Sequence, residues 1–345
     1  MTRWAVILAG GVGSRFWPVS TPSRPKQLLA LATGQPLLAD ALERLEPLVP
    51  PERTLLLTNA GLVGTIAELA PRIPRANIIA EPRAAGTAAA LTWAAREIQR
   101  RGGDDAVMMS VHADWTVQDA DAFRRALDAA ASAATAHRAL VTVGVVPDRP
   151  DTGFGYIQPG EPIGGGVRRV ARFVEKPDRA RAATLLAEGC LWNTGIFAWR
   201  VDDFLAEVRA LTPEIAPQLD AHGDDLAAFF GAITSPIAVD VGVLERSSRV
   251  LVLAGDFGWD DVGTWAALQR VRGRDANGNT LAGLVHAFDA HDNVVHADGN
   301  GVVLYGVRDL VVVTREGLTL VTTVDKAAEL KTLIDSLPPA FRDPA

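Results

Sequence analysis

Short apolar runs alternate with amphipathic stretches along the first part of the chain. The runs are rich in Val, Ile and Leu with little polar alternation, as in buried parallel strands. They predict strands at residues 4–9, 54–58, 77–80, 106–110 and 140–146. Apolar residues at helical spacing predict helices at 36–48, 62–70, 87–101 and 120–137. Strand followed by helix, repeated, indicates an α/β fold with a Rossmann-like, mostly parallel sheet flanked by helices.

From residue 151 the pattern is mixed. "TGFGYIQPG" predicts a hairpin or loop, and "VRRVARFVEKP" predicts a strand that ends at Pro177. "DRARAATLLAEG" predicts a helix with Asp178 as its N-cap and Gly189 at its end. "GIFAWR" predicts a short strand, residues 201–210 and 224–232 predict helices, and "RVLVLAGDFGWDDVGTWAAL" predicts strand, loop and helix.

Helical signals vanish after about residue 273 and return only at Asp325. The intervening short β runs are separated by Asp, Asn and Gly, which predicts a small β appendage of stacked coils. The tail "DKAAELKTLIDSL" predicts a final amphipathic helix. We therefore expect a large α/β domain at residues 1–272 and a small β-rich domain at 273–345.

Composition narrows the classes of partner. The 345-residue chain has a net charge of −7, which argues against nonspecific nucleic-acid binding but leaves room for a small anionic substrate. Its single cysteine excludes an internal disulfide and fits a reducing compartment. No apolar run reaches membrane-spanning length, and "MTRWAVILAGG" is too short for a signal sequence. We expect a cytoplasmic protein that does not use a membrane.

The stretch "ILAGGVGSRFWPVSTPSRPKQLLAL", residues 7–31, carries the first candidate chemistry. A dinucleotide-binding loop needs a third glycine where Phe16 stands, and a P-loop needs Lys-Ser or Lys-Thr where Ser14 and Arg15 stand. Both interpretations therefore fail on particular residues.

A third interpretation fits the whole stretch. Gly10, Gly11 and Gly13 would let backbone N–H groups approach phosphates, and Arg15 would add a fork of donors. The prolines would stiffen the loop and direct Lys26 toward the same anions. The alternative is a Gly/Pro-rich surface loop with two solvated cations.

Asp114 is a second candidate functional residue. It follows a buried strand, at the edge of the sheet where open α/β sheets place their ligands.

The loop resembles the signature of sugar-1-phosphate nucleotidyltransferases, and most of all that of mannose-1-phosphate guanylyltransferases (GDP-mannose pyrophosphorylases). Further segments resemble that family in the same order along the chain. "EPRAAGTAAAL" resembles the nucleobase segment, "HADW" the first metal segment, "FVEKP" and "WNTGIFAWR" the sugar-phosphate and sugar loops, and "WDDVGTW" the second metal segment. The resemblance covers most of residues 4–272.

This resemblance implies transfer of a nucleotidyl group from GTP to mannose 1-phosphate, giving GDP-mannose and pyrophosphate. The sugar phosphate would attack the α-phosphorus in line, assisted by Mg²⁺ held by Asp114 and Asp261, with Asp260 the rival of Asp261. The implied catalytic residues are Arg15, Lys26 and Lys176. The implied nucleotide-binding residues are Gly10, Gly11, Gly13, Arg15, Lys26, Glu81, Gly86 and Thr87. The implied sugar-binding residues are Gly155, Glu175, Asn193 and Thr194.

The nucleobase segment departs from the family pattern. Guanylyltransferases commonly have Arg-Asn-Thr-Ala-Pro-Ala, where this chain has Ala85, Gly86, Thr87 and three alanines. "Gly-Thr-Ala" also resembles uridylyl-, thymidylyl- and adenylyltransferases, so another base or hexose stays open, as does a non-catalytic nucleotide-sugar-binding homologue. The resemblance also implies a homodimer and a left-handed β-helix as the appendage. Longer relatives fuse a cupin-type phosphomannose isomerase, an activity not expected here.

Overall fold

The structure is a computed structural model that describes residues 1–11 and 14–342. Its large sheet is built from strands β1 (Arg3–Leu8), β2 (Thr54–Asn59), β3 (Ile78–Glu81), β4 (Val107–His112), β5 (Leu140–Val145), β6 (Tyr156–Gly164), β7 (Val167–Val174), β8 (Leu191–Arg200) and β9 (Val250–Gly255). The strand order is β3-β2-β1-β4-β8-β5-β9-β7-β6. Neighbours from β3 to β4 are parallel, as are β5 and β9, whereas β8 and β7 run antiparallel to their neighbours.

The helices of this part are α1 (Leu37–Leu45), α2 (Val63–Leu69), α3 (Thr87–Gly102), α4 (Ala120–His137), α5 (Arg179–Ala187), α6 (Val201–Leu211), α7 (Ala216–His222), α8 (Leu226–Ala232) and α9 (Leu268–Val271). Successive residues of a strand face opposite sides of the sheet, and the consecutive residues Val6 and Ile7 of β1 are both fully buried. Both faces of the central sheet are therefore covered. The predicted α/β fold with a large, mostly parallel sheet is confirmed.

The C-terminal part is a small β structure. Its strands are β10 (Thr280–Ala282), β11 (Val285–Phe288), β12 (Val294–Asp298), β13 (Val302–Tyr305), β14 (Leu310–Arg315) and β15 (Leu318–Thr323). β12 pairs in parallel with β10 and β14, β13 pairs in parallel with β11, and β15 runs antiparallel to β14. Parallel pairing of strands one coil apart fits the predicted stacked coils, and their left-handedness stays a prediction. Helices α10 (Leu330–Ser336) and α11 (Pro339–Arg342) follow.

The chain packs into two compact units that do not divide at one point in the sequence. Unit 1 comprises residues 1–10, 42–113 and 119–259, and unit 2 comprises 11–41, 114–118 and 260–345. The sequence predicted a boundary near residue 272. In the structure, unit 2 adds to the predicted C-terminal domain the segment 260–272, the glycine-rich loop and the short segment that follows β4.

Several local predictions are confirmed and others need correction. Helix α4 has the predicted bounds, and the Asp178 carboxylate caps α5 by accepting a 2.8 Å hydrogen bond from the Arg181 amide. Helix α7 was not predicted. Strand β8 begins at Leu191 rather than Gly195, and "TGFGYIQPG" leads into strand β6. Among the described residues, no helix has the length and apolar character needed to span a bilayer.

Candidate functional site

A cavity of about 330 Å³ in unit 2 gathers four of the predicted site residues. Its lining is Arg15, Phe16, Lys26, Asp114, Trp115, Asp261 and Gly263. These residues come from three separate segments of the chain: the glycine-rich loop, the turn after β4 and the segment after β9. Two of the three predicted catalytic cations and both predicted metal-binding carboxylates therefore share one cavity.

A short backbone pairing brings the two acidic segments together. The Thr116 amide donates to the Asp260 carbonyl at 2.9 Å, and the Asp260 amide donates to the Thr116 carbonyl at 3.0 Å. Asp114 lies two residues before this pairing and Asp261 lies one residue after it. The pairing thus fixes two carboxylate-bearing turns side by side within unit 2.

The adjacent residues Asp260 and Asp261 have different surroundings, and an unusual backbone conformation at Val262 accompanies that difference. Val262 has φ +47°, a left-handed conformation that is rare for a β-branched residue, and its side chain is fully buried. Its amide donates to Asp260 Oδ1 at 2.8 Å. The Asp260 carboxylate also accepts from Arg270 Nε at 2.6 Å and from Arg270 Nη2 at 3.1 Å. Arg270 and the Val262 amide therefore hold the Asp260 carboxylate, and Asp261 is one of the residues that line the cavity.

Lys26 reaches the cavity through the protein interior. The residue is 7 % exposed, and its Nζ lies 2.5 Å from the Asp261 carbonyl oxygen and 3.3 Å from Asp114 Oδ2. Its buried position holds the ammonium group between the two acidic segments. The sequence predicted a lysine directed at phosphates, and the structure adds that Lys26 pairs with Asp114.

The buried side chain of Phe16 anchors the backbone next to Arg15. Arg15 is exposed at the cavity, while Phe16 is fully buried with its ring edge-on to Trp265, the centroids 5.0 Å apart. Nearby, Gln27 Nε2 donates to the Gly11 carbonyl at 3.1 Å and ties the start of the loop to its end. Gly13 lies outside the described residues, so its predicted role stays a prediction.

The donor set at the cavity suits a hard cation that also binds phosphate oxygens. Among residues 1–11 and 14–342, no group of three or more His, Cys, Asp or Glu side chains is arranged to hold a metal ion. Asp114 and Asp261 supply two carboxylates to one cavity. Mg²⁺ in nucleotide-binding sites is commonly held by one or two carboxylates together with substrate phosphates. The residues present fit such an ion.

A second group of predicted residues lies together in unit 1. A Cβ on Gly155 would lie 2.6 Å from Glu175 Oε2 and 3.0 Å from the Phe173 ring, so any side chain here would require Glu175 and Phe173 to move. The backbone amide of Asn193 donates to the Gly155 carbonyl at 2.8 Å. Gly155, Glu175 and Asn193, three of the predicted sugar-binding residues, are therefore neighbours.

Asp240 belongs to this group and was missed by sequence reasoning. Its Oδ1 accepts a 2.6 Å hydrogen bond from Asn193 Nδ2, while Asn193 Oδ1 accepts from the Thr142 hydroxyl at 3.2 Å. Burial raises the pKa of Asp240, and the nearby carboxylate of Glu175 raises it further. Asp240 opens a π-helical turn, Asp240–Leu244, a feature often found at functional sites that is not visible in hydrophobic periodicity.

Two other predicted residues have partners within the protein. Lys176 is largely exposed with φ +42°, and its Nζ lies 2.5 Å from Glu175 Oε1. Thr194 is buried, and its hydroxyl donates to the Val143 carbonyl at 2.6 Å. That bond uses the hydroxyl hydrogen of Thr194, so this side chain has no donor left for a sugar oxygen.

Glu81, at the end of β3, is a predicted nucleotide-binding residue with a perturbed carboxyl group. Burial raises the pKa of Glu81 to about 7. A Cβ on Gly10 would lie 3.7 Å from Glu81 Oε1, so the carboxyl lies beside the backbone at the start of the glycine-rich loop. Perturbed carboxyls of this kind are concentrated at functional sites.

Gly86 directly precedes helix α3 and Thr87 is its first residue, and both are constrained by neighbouring backbone. Gly86 has φ +85°, and a Cβ there would clash with the backbone carbonyl of Ile237. The Thr87 hydroxyl accepts from the Val239 amide at 2.9 Å. The departure from the family pattern at Gly86 therefore coincides with a close backbone approach that excludes any side chain.

Comparison with known proteins gives consistent matches. The family model described as nucleotidyl transferase matches residues 4–278. The mannose-1-phosphate guanylyltransferase of Salmonella muenchen is 34 % identical over 347 residues, which cover 96 % of this chain and 72 % of that protein. The alginate biosynthesis protein AlgA of Pseudomonas aeruginosa is also 34 % identical, over 96 % of this chain and 71 % of its own.

Solved structures agree with the sequence matches. A crystal structure titled mannose-1-phosphate geranyltransferase, from Thermus thermophilus, has a TM-score of 0.89 and 36 % identity, covering 97 % of this chain and 99 % of its own. A glucose-1-phosphate thymidylyltransferase structure from Bacillus anthracis has a TM-score of 0.52 and 20 % identity over 78 % of this chain and 94 % of its own, a likeness of fold alone.

Proposed function

The chain belongs to the nucleotidyl transferase family and is a nucleotidyltransferase, and from that premise we propose that it transfers a guanylyl group from GTP to mannose 1-phosphate. An oxygen of the sugar phosphate attacks the α-phosphorus, one P–O bond forms, and the bond to the departing pyrophosphate breaks. No protein nucleophile is needed. The protein must orient two anions and offset the charge that builds up between them.

The main support for this proposal is that Arg15, Lys26, Asp114 and Asp261 line one cavity. Arg15 is exposed there, so its planar fork can bind the departing pyrophosphate bidentately. Lys26 is a buried point charge that stabilises the phosphates from the opposite side of the loop. A solvated surface loop would not bury its lysine against two acidic segments.

Asp114 and Asp261 are the residues that would hold Mg²⁺. When bound, the ion would offset the negative charge of the reacting phosphates. Asp260 is the weaker candidate because Arg270 binds both of its carboxylate oxygens.

The unit 1 group would hold the sugar. Glu175 would accept hydrogen bonds from sugar hydroxyls, and the amide of Asn193, oriented by Asp240 and Thr142, would supply a donor. Polar groups placed in this way discriminate against substrates that leave them unpaired. Lys176 would exchange its bond with Glu175 for the phosphate of the sugar substrate.

Glu81 supports guanine as the base. Guanine presents two adjacent N–H donors on its pairing edge, and Glu81 in its ionised form offers two acceptor oxygens. Uracil and thymine present one N–H between two carbonyls, which match a carboxylate less well. At Gly86 the backbone of Ile237 leaves no room for a side chain, and the Thr87 hydroxyl accepts a hydrogen bond from the Val239 amide, so we assign the base preference to Glu81.

A pyrophosphate-release screen tests the proposal. GTP, UTP, dTTP and ATP are each combined with several hexose 1-phosphates at saturating Mg²⁺, and GTP with mannose 1-phosphate is expected to give the highest kcat/KM. Asp261→Asn should lower the turnover by orders of magnitude. Asp289→Asn, the same change at an exposed aspartate of the appendage, is the matched control and should leave the turnover unchanged.

Two outcomes would redirect the proposal. Higher kcat/KM with another nucleotide or sugar phosphate would favour a different nucleotidyltransferase specificity. Tight binding of GDP-mannose with no pyrophosphate release would favour a non-catalytic homologue. The homodimer and the cytoplasmic location stay predictions.

A further inference from the structure

Two side chains of the β appendage form a cross-strand pair that faces the glycine-rich loop. Asp298 ends β12 and Arg315 ends β14, and the two residues are direct partners in the parallel register. Side chains of register partners lie on the same face of a sheet. Arg315 is largely buried, with its side chain 12 % exposed.

Each member of the pair contacts a different point of the loop. Arg315 Nη1 donates to the Val19 carbonyl at 2.7 Å, and Asp298 Oδ2 lies 3.5 Å from the Arg24 guanidinium. Between these points the loop closes on itself, because Thr21 and Arg24 exchange backbone hydrogen bonds of 3.1 and 3.0 Å. The cross-strand pair therefore holds both sides of a tight turn.

That turn separates the two cations of the cavity. Arg15 precedes it and Lys26 follows it, and both line the cavity with Asp114 and Asp261. Other residues of the C-terminal segment secure the flanks of the loop. Trp265 Nε1 donates to the Trp17 carbonyl at 3.0 Å, and Arg272 donates to the carbonyls of Ala30 and Leu31 at 2.8 and 2.5 Å.

We propose that Arg315, paired with Asp298, is a positioning residue that sets the place of Arg15 and Lys26 at the triphosphate, so that the β appendage is part of the nucleotide-binding machinery. This proposal rests on the proposed function for its kinetic consequence only. Arg315 contributes more than Asp298, because its bond to Val19 is largely buried. The Arg24–Asp298 pair is more than 40 % exposed on both sides and contributes little by itself.

The test combines hydrogen exchange with steady-state kinetics on the full chain. In Arg315→Ala, amides of residues 15–31 should exchange faster than in the unmodified protein. The KM for the nucleotide should rise about tenfold, while the KM for the sugar phosphate stays unchanged, because the residues assigned to the sugar are in unit 1. Arg315→Lys keeps one charged donor and should recover part of both effects. Arg308→Ala, at an exposed arginine of the same appendage, is the matched control.

Charge exchange gives a second test of the cross-strand pair. Asp298→Arg adds a third positive charge beside those of Arg24 and Arg315 at the turn, and it should raise the KM for the nucleotide. Adding Arg24→Asp to this variant should reverse most of that rise. Unchanged loop exchange and unchanged nucleotide KM in Arg315→Ala would overturn the proposal, as would an equal rise of both KM values. If no nucleotide and sugar phosphate react in the unmodified protein, the proposed function fails, whereas loop exchange still decides the positioning role.

Discussion

Asp260 and Asp261 are consecutive residues whose carboxylates have different surroundings: Arg270 binds both oxygens of the first, whereas the second lines the cavity with Lys26. The left-handed backbone of Val262 accompanies this separation. A strained residue next to a reactive group is a recurring feature of functional sites. The Asp260 carboxylate thus helps to hold the turn, and the position of Asp261 in the cavity fits the role at the phosphates that we propose for it.

Exchanging each aspartate for asparagine should therefore give opposite phenotypes. Asp261→Asn should keep the thermal midpoint near that of the unmodified protein and lose most turnover, because the cavity loses a carboxylate. Asp260→Asn should lower the free energy of unfolding by about 1–3 kcal/mol, because a part-buried bidentate charged pair is broken. Thermal melts and pyrophosphate release, measured on both variants, check this. Equal loss of turnover at equal stability in both would contradict the assignment.

The sequence predicted the charged residues of the cavity but not their division of labour. Arg15, Lys26, Asp114 and Asp261 stand in motifs whose residue types predict phosphate chemistry, and the structure brings them into one cavity. The bounds of α4 were predicted correctly because periodicity and capping agree there. The family resemblance favoured Asp261 over Asp260, but the sequence could not show how their surroundings differ, because that difference depends on the backbone conformation at Val262 and on the position of Arg270.

Contacts between distant parts of the chain were also beyond the sequence. Arg315 and Val19 are 296 positions apart, and no local pattern marks an arginine at the end of a strand as a donor to a loop carbonyl. The predicted boundary near residue 272 followed the change of pattern from helix to strand. Packing instead joins the glycine-rich loop to the C-terminal segment.

Gly86→Ala, at the residue that directly precedes helix α3, should destabilise the protein. The new Cβ would meet the Ile237 carbonyl, and φ +85° is unfavourable for any L-residue. We expect the free energy of unfolding to fall by about 1–3 kcal/mol, measured by denaturant titration. Gly64→Ala, inside α2 with open space around its Cβ, is the control and should raise stability slightly. A neutral Gly86→Ala would show that the α3 start can move away from Ile237.

Glu81 should make stability fall with pH. Its folded-state pKa of about 7 lies above the unfolded value of 4.5, because burial disfavours the charge. The contribution of Glu81 to the free energy of unfolding is therefore fully present below pH 4.5. It is lost as the pH rises through 7, a change of about 3 kcal/mol. In Glu81→Gln this dependence should disappear, as measured by denaturant titrations at several pH values. A pH profile identical to that of the unmodified protein would contradict the assignment.

Asp240 should affect the KM for the sugar phosphate and leave the KM for the nucleotide unchanged. Asp240→Ala removes the acceptor that orients the Asn193 amide, so the KM for mannose 1-phosphate should rise about tenfold, equivalent to about 1.4 kcal/mol, with the KM for GTP unchanged. Asp240→Asn keeps an acceptor oxygen and should recover much of the loss, which a general packing defect would not show. Asp220→Asn, at an exposed aspartate of the same unit, serves as the control. A parallel rise of both KM values would mean that Asp240 supports the fold of unit 1 rather than the orientation of Asn193.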